Sequence, residues 1–154
     1  MLFRSEISDC EVDGEIYSDS KNSVLGGVVG GIVGNSQCEI SGCEVEGKIH
    51  SISENSFLGG VVGGIVGNSQ CEISDCEVDG EIYSDSKISS LGGIVGRVQN
   101  SNCEISSCEV DGEIYSTSEE YSYLGGIVGF VSRNSQCEIS GCEVEGKIYS
   151  PTGN

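Results

Sequence analysis

Apolar and charged side chains alternate along short segments of this chain. In residues 43–49, CEVEGKI, cysteine, valine and isoleucine alternate with glutamate and lysine, apart from one glycine. A period of two is typical of a β-strand with one buried face. The spacing of three and four residues that an amphipathic helix needs is absent, and Gly, Ser, Val and Ile outnumber the strong helix formers. The pattern therefore predicts β-strands rather than helices.

The alternating segment belongs to a unit of about 33 residues that recurs along the chain. The unit that begins at Cys38 returns at Cys71, Cys103 and Cys137, and a version with serine begins at Ser5. A period of this length decides the fold class, because each unit forms one structural element that stacks on the next. We predict one repeat domain, 1–154, with repeats 5–37, 38–70, 71–102 and 103–136 and the partial repeat 137–154.

Several short strands in each unit predict an all-β fold, a β-solenoid (β-helix) with one coil per unit and about 4.5 coils. Identical residues would then form columns with a spacing of about 4.8 Å between coils. The apolar columns predict the core. They are Ile7, Ile40, Ile73, Ile105 and Ile139; Val12, Val45, Val78, Val110 and Val144; and Ile16, Ile49, Ile82, Ile114 and Ile148.

A glycine-rich segment fills the second half of each unit. It reads LGGVVGGIVG at 25–34 and again at 58–67, and LGGIVG at 91–96 and 124–129. As a strand it is apolar or glycine on both faces, and such strands are usually buried on both. One face covers the core, and we predict that the other binds a second copy, giving a homo-oligomer or filament. The candidate assembly face is Gly26, Val28, Gly30, Ile32, Gly59, Val61, Gly63, Ile65, Gly92, Ile94, Gly125 and Ile127.

The strings LGGIVG and ISGCEVEGKI resemble the bacterial GLUG motif, in which a glycine-leucine-valine-glycine segment precedes an isoleucine-serine-x-cysteine segment. The resemblance covers the four glycine segments and the five cysteine segments. The family occurs in adhesin-like, surface-associated bacterial proteins. The resemblance therefore implies a structural or adhesive β-solenoid that is extracellular or on the cell surface. The chain departs from the motif in its second cysteine per unit and its many acidic residues.

The charge of the chain limits its partners. Twenty-five acidic residues against seven basic ones give a net charge of −18, which disfavours nucleic acid and anionic membranes. The acids are interleaved with β-branched residues rather than collected in blocks, so we predict a folded chain. No apolar run reaches the 18 or more residues of a membrane span, and 1–4 lack the pattern of a signal peptide. We expect no membrane insertion.

Nine cysteines fall into two columns. Their C-x4-C spacing lacks histidine and the C-x2-C spacing typical of zinc sites, so we expect no metal here. Three states stay open: disulfides within a motif, such as Cys38 with Cys43; disulfides across a coil, such as Cys10 with Cys38; and reduced, buried thiols. The columns are Cys38, Cys71, Cys103 and Cys137, and Cys10, Cys43, Cys76, Cys108 and Cys142.

Three further columns are wholly acidic. Stacked charges about 5 Å apart repel by roughly 1 kcal/mol per step in water, so we expect salt, low pH or cations to stabilise the fold. The columns are interpreted either as a solvated face or as a calcium site. They are Glu6, Glu39, Glu72, Glu104 and Glu138; Glu11, Glu44, Glu77, Glu109 and Glu143; and Asp13, Glu46, Asp79, Asp111 and Glu145.

Three surface columns suggest binding functions. The stripe Tyr17, His50, Tyr83, Tyr115 and Tyr149 is either a site for glycans or another subunit, or a set of strand-forming residues. Hydroxyl columns suggest ice binding, as another alternative to assembly. With one histidine and no Ser-His-Asp set or phosphate loop, we expect no enzyme. The hydroxyl columns are Ser18, Ser51, Ser84, Ser116 and Ser150, and Ser20, Ser53, Ser86, Ser118 and Thr152.

Overall fold

The computed structural model describes residues 4–118 and 120–150, and these ranges contain β-strands and no helix. Within them there is accordingly no helix of the length and apolarity needed to cross a membrane. The predicted all-β class is confirmed.

Four strands make up each complete coil. The first coil contains β1 (Arg4–Ser8), β2 (Glu11–Ser18), β3 (Asn22–Gly26) and β4 (Val29–Val33). The second contains β5 (Gln37–Ser41), β6 (Glu44–Ser51), β7 (Asn55–Gly59) and β8 (Val62–Val66). The third contains β9 (Gln70–Ser74), β10 (Glu77–Ser84), β11 (Ile88–Gly92) and β12 (Val95–Gln99). The fourth contains β13 (Asn102–Ser106), β14 (Glu109–Ser116), β15 (Tyr121–Gly125) and β16 (Val128–Val131), and β17 (Gln136–Ser140), β18 (Glu143–Val144) and β19 (Lys147–Tyr149) follow.

Equivalent strands of successive coils pair in parallel and build four sheets. Sheet A contains β1, β5, β9, β13 and β17, and sheet B contains β2, β6, β10, β14, β18 and β19. Sheet C contains β3, β7, β11 and β15, and sheet D contains β4, β8, β12 and β16. The register places each residue beside its repeat equivalent, as with Ile40 between Ile7 and Ile73. The protein is a β-solenoid of about four turns, as predicted.

The apolar columns line the interior. Ile40, Ile73 and Ile105 are 0%, 1% and 0% exposed, and the valines and isoleucines of β6, β10 and β14 belong to the same core. In the last coil the equivalent Ile139 is 49% exposed, because a neighbouring coil covers it on one side only. Burial therefore depends on stacking as much as on the fold of a single coil.

The glycine segment forms two strands with a bend between them. In the second coil β7 ends at Gly59 and β8 begins at Val62. A Cβ added at Gly59 would lie 2.0 Å from the carbonyl oxygen of Val62, and one at Gly63 would lie 2.5 Å from that of Gly30. Backbone of sheets C and D thus meets at glycines, where no side chain fits.

This bend corrects the predicted assembly face. Val61, Ile65 and Ile94 are 0% exposed and lie in the core, and Gly59, Gly63 and Gly92 face backbone of the same chain. The alternation that predicted a second, free face holds for one continuous strand and is broken by the bend. Ile32, Gly59, Val61, Gly63, Ile65, Gly92 and Ile94 are buried, and Gly26, Val28, Gly30, Gly125 and Ile127 are half-buried in the outer coils.

Candidate functional site

The nine cysteines form two continuous columns of free thiols. The first thiol column is Cys38, Cys71, Cys103 and Cys137 on sheet A, and the second is Cys10, Cys43, Cys76, Cys108 and Cys142 at the turn between sheets A and B. The register brings together cysteines of the same column, such as Cys38 and Cys71. Neither predicted disulfide scheme contains these pairs, because both schemes paired one column with the other.

Thiols of the second column are held by backbone carbonyls. Cys43 donates to the carbonyl of Ser41 at 3.5 Å, and Cys76 donates to that of Ser74 at 3.2 Å. Burial raises the pKa of Cys43 to about 11. A protonated, buried thiol with a satisfied donor behaves as a small apolar side chain. The second column is therefore part of the core packing.

Thiols of the first column act mainly on one another. In the part of the chain that the structure describes, none of the four donates a hydrogen bond to a backbone carbonyl. The neighbouring thiols of Cys103 and Cys38 lower the pKa of Cys71 to about 5, and the contact with Cys71 raises the pKa of Cys38. The first thiol column is therefore the stronger candidate for a functional site.

The hydroxyl columns lie in the corner between sheets B and C and not on an open face. Ser84 is 0% exposed, and its Oγ lies 2.6 Å from the Oγ of Ser56. Ser116 and Ser89 make the same contact at 2.8 Å in the next coil. An exposed hydroxyl array is therefore contradicted in the inner coils. Ser51 and Ser86 are also buried, Ser18, Ser53 and Ser118 are half-buried, Ser20 and Ser150 are exposed, and Thr152 lies outside the described residues.

The aromatic stripe is a stack along sheet B. Ring centroids are 5.3 Å apart for Tyr17 and His50, 4.6 Å for His50 and Tyr83, 4.5 Å for Tyr83 and Tyr115, and 5.1 Å for Tyr115 and Tyr149. A sugar that stacks on an aromatic ring needs an open ring face, and each inner ring of this stripe has a neighbour on both sides. The stack contributes cross-strand packing.

Charged groups flank the stack and fix its hydroxyls. Tyr115 donates a hydrogen bond to Glu81, and Lys48 lies 2.9 Å from the same carboxylate. These contacts hold the pKa of Glu81 below its usual value. Burial and the Glu81 charge raise the pKa of Tyr115. Within the described ranges, Nε2 of His50 is buried without a hydrogen-bond partner.

The acidic columns stack as the repeat implied. Glu44 lies beside Glu11 and Glu77 in the ladder of sheet B, and its charge raises the pKa of Glu46. Among residues 4–118 and 120–150, no three or more His, Cys, Asp or Glu side chains converge to hold a metal ion. The calcium hypothesis therefore gains no support from the geometry of these columns.

An aromatic–arginine cluster, which the sequence analysis did not identify, lies between sheets C and D. The guanidinium carbon of Arg97 is 4.5 Å from the ring centroid of Phe57 and 5.2 Å from that of Phe130, whose ring lies 4.9 Å from that of Tyr123. Desolvation lowers the pKa of Arg97. Its Nε has no hydrogen-bond partner in the described part of the chain. The guanidinium is therefore held by ring faces.

The signal for this cluster was present in the repeat. Arg97 and Phe130 occupy the column that Gly31 and Gly64 occupy in the first two coils. A column in which glycine gives way to large side chains has room for a Cβ, as at Gly64, whereas at Gly63 a Cβ would meet backbone. Comparison between repeat units thus distinguishes glycines that a larger side chain can replace from glycines that close backbone contact requires.

Comparison with known families agrees with this fold. Residues 120–149, which include β15 to β19, match the family model of the GLUG motif. No curated protein and no solved structure gives a significant match to the chain. The resemblance read from LGGIVG and the following cysteine segment is confirmed in that part of the chain. The protein is a β-solenoid repeat protein, and its residues 120–149 match the GLUG motif.

Proposed function

We propose that this protein is a structural module that assembles with other copies of itself through the edges of its outer coils. The apolar columns support the proposal, because they continue to the edge. Ile139 and Ile148 are 49% and 42% exposed, whereas their equivalents Ile105 and Ile114, one coil inward, are 0% and 2% exposed. A further parallel coil would bury them as the inner coils are buried, at roughly 1.5–3 kcal/mol per fully buried side chain.

The strand sequences support the same surface. Strand β17 reads QCEIS, identical to β5 and β9, and each of those two strands carries another coil on its following side. Strand β1 is the other outer strand of sheet A and reads RSEIS. A second copy that placed its β1 on β17 would continue the existing parallel ladder. We therefore propose a head-to-tail contact between sheets A.

The acidic columns make this contact dependent on salt. Glu138 of β17 and Glu6 of β1 belong to one column, so they would meet across the junction. Two carboxylates about 5 Å apart repel by roughly 1 kcal/mol in water before screening. Added salt reduces that repulsion. Assembly should therefore increase with ionic strength.

We propose no catalytic role for the protein, and self-assembly through the coil edges requires no cofactor. A surface location and a role in adhesion belong to the same proposal, and the GLUG motif supports them. Head-to-tail assembly requires only the exposed edges of the outer coils and does not depend on a surface location or on adhesion.

Sedimentation velocity and negative-stain electron microscopy test the proposal. We expect oligomers one solenoid wide that grow with protein concentration and with NaCl. Ile139→Lys in β17, at the edge of sheet A, should weaken assembly by about tenfold or more. Ile52→Lys is the matched control, because Ile52 is 45% exposed on the side of the solenoid and Ile139 is 49% exposed. Monomers at every salt concentration, or equal effects of the two substitutions, would refute the proposal.

A further inference from the structure

The first thiol column places soft ligand atoms at a regular spacing inside the fold. Cys71 and Cys103 are partners in the ladder and are 2% and 4% exposed, and Cys38 is 9% exposed. Parallel strands lie about 4.8 Å apart, and side chains of one column leave the sheet in the same direction. Their sulfurs are therefore neighbours along a line parallel to the solenoid axis.

This spacing suits an ion between two sulfurs better than a bond between them. A disulfide brings the two Cβ atoms to about 3.8 Å, so the strands would have to close by about 1 Å. A bond from a thiolate to a metal ion is about 2.3 Å long. An ion held in line between two thiolates therefore spans about 4.6 Å, which is close to the strand spacing.

The number of ligands selects the kind of ion. Zinc takes four ligands and calcium takes six to eight oxygens, and no three metal-binding side chains converge within residues 4–118 and 120–150. Closed-shell monovalent ions such as Cu(I) accept two ligands in line and prefer thiolates. The second thiol column is less suited, because Cys43, Cys76 and Cys108 direct their thiols at backbone carbonyls.

We propose that the first thiol column binds two soft monovalent ions of the Cu(I) class, one between Cys38 and Cys71 and one between Cys103 and Cys137. At each site two thiols release two protons, two thiolates bind one ion, and no electron is transferred. The ion takes the place of the two thiol protons.

Anaerobic titration of the reduced full chain with Cu(I), supplied as its acetonitrile complex, tests the proposal. Native mass spectrometry should show two bound ions per chain, and X-ray absorption should show two sulfur neighbours per copper. Cys71→Ser should reduce the count from two to one, and Cys103→Ser should do the same. Cys76→Ser, at the equivalent height in the second column, is the matched control and should keep both ions.

Several results would overturn the proposal. These are an unchanged count in Cys71→Ser, an equal loss in Cys76→Ser, no bound copper in the wild type, or three or four sulfurs around each ion. Circular dichroism checks that each variant is folded. If a serine variant does not fold, the stoichiometry and sulfur count of the wild type decide by themselves. Each proposed ion is bound by two cysteines of one chain, so the ion count per chain and the sulfur count per ion are independent of head-to-tail assembly.

Discussion

The close approach of sheets C and D can be tested at two adjacent glycines. A Cβ at Gly63 would lie 2.5 Å from the carbonyl oxygen of Gly30 and 2.6 Å from that of Leu25. A Cβ at Gly64 would meet Cγ1 of Val24 at 3.4 Å as its nearest neighbour. Alanine at the first position must push backbone apart, whereas alanine at the second makes an ordinary contact.

The expected costs differ several-fold. In Gly63→Ala the sheets must separate by roughly 0.5–1 Å, and overpacking of this kind costs about 1–3 kcal/mol. Weakened ladder hydrogen bonds add about 0.5–1.5 kcal/mol each. We expect a total of about 3–5 kcal/mol, which lowers Tm by roughly 6–20 °C in a chain of this size. Gly64→Ala should stay within about 1 kcal/mol of the wild type, since alanine also restricts the unfolded chain.

Thermal unfolding followed by circular dichroism at fixed pH and salt measures both variants. The third coil supports the choice of control, because Arg97 already occupies the position equivalent to Gly64. If Gly63→Ala and Gly64→Ala melt within about 2 °C of each other, the two sheets are not in backbone contact at these glycines and the reasoning fails.

Three other predictions follow from the site. Arg97→Ala should lower the urea midpoint, because it removes two contacts between a cation and a ring worth about 0.5–2 kcal/mol each, whereas Arg133→Ala, at an exposed residue, should leave it unchanged. The pKa of Cys43 is raised to about 11 in the fold, whereas an unfolded thiol ionises near 8.5. The contribution of this thiol to folding stability is therefore complete below about pH 8.5 and is lost as the pH rises to about 11. Cys43→Ala should flatten the fall of Tm in that range. The raised pKa of Glu46 means that its ionised form is disfavoured in the fold, so Glu46→Gln should raise Tm at pH 7 and not at pH 4.

The strand pattern and the repeat were sufficient to predict the fold. Alternation in segments such as 43–49 specifies which side chains face the core, and a unit of fixed length specifies the register between coils. Once Ile40 is aligned with Ile73, every other pair on that strand follows. The columns of thiols, acids and aromatic rings were visible for the same reason.

The glycine segment was misread because its periodicity does not show a bend. Val61 and Val62 are adjacent in sequence and both lie in the core of the solenoid, whereas a straight strand would direct them to opposite faces of the sheet. Close contact of backbone with backbone depends on the path of the chain, and that path is not encoded in the alternation. The same limit applies to the aromatic–arginine cluster, where Phe57 and Arg97 come from different sheets and different coils.

The buried serines have a consequence for how the chain finds its register while folding. Near-identical units can pair in many ways, and a shift of two residues keeps every side chain on its original face. Such a shift would move the hydroxyls of Ser84 and Ser56 away from each other, and each unsatisfied buried hydroxyl costs about 1–3 kcal/mol. An apolar corner would tolerate the slipped pairing. The buried hydroxyl pairs thus select the correct register, because a coil stacked in a shifted register would leave them without partners.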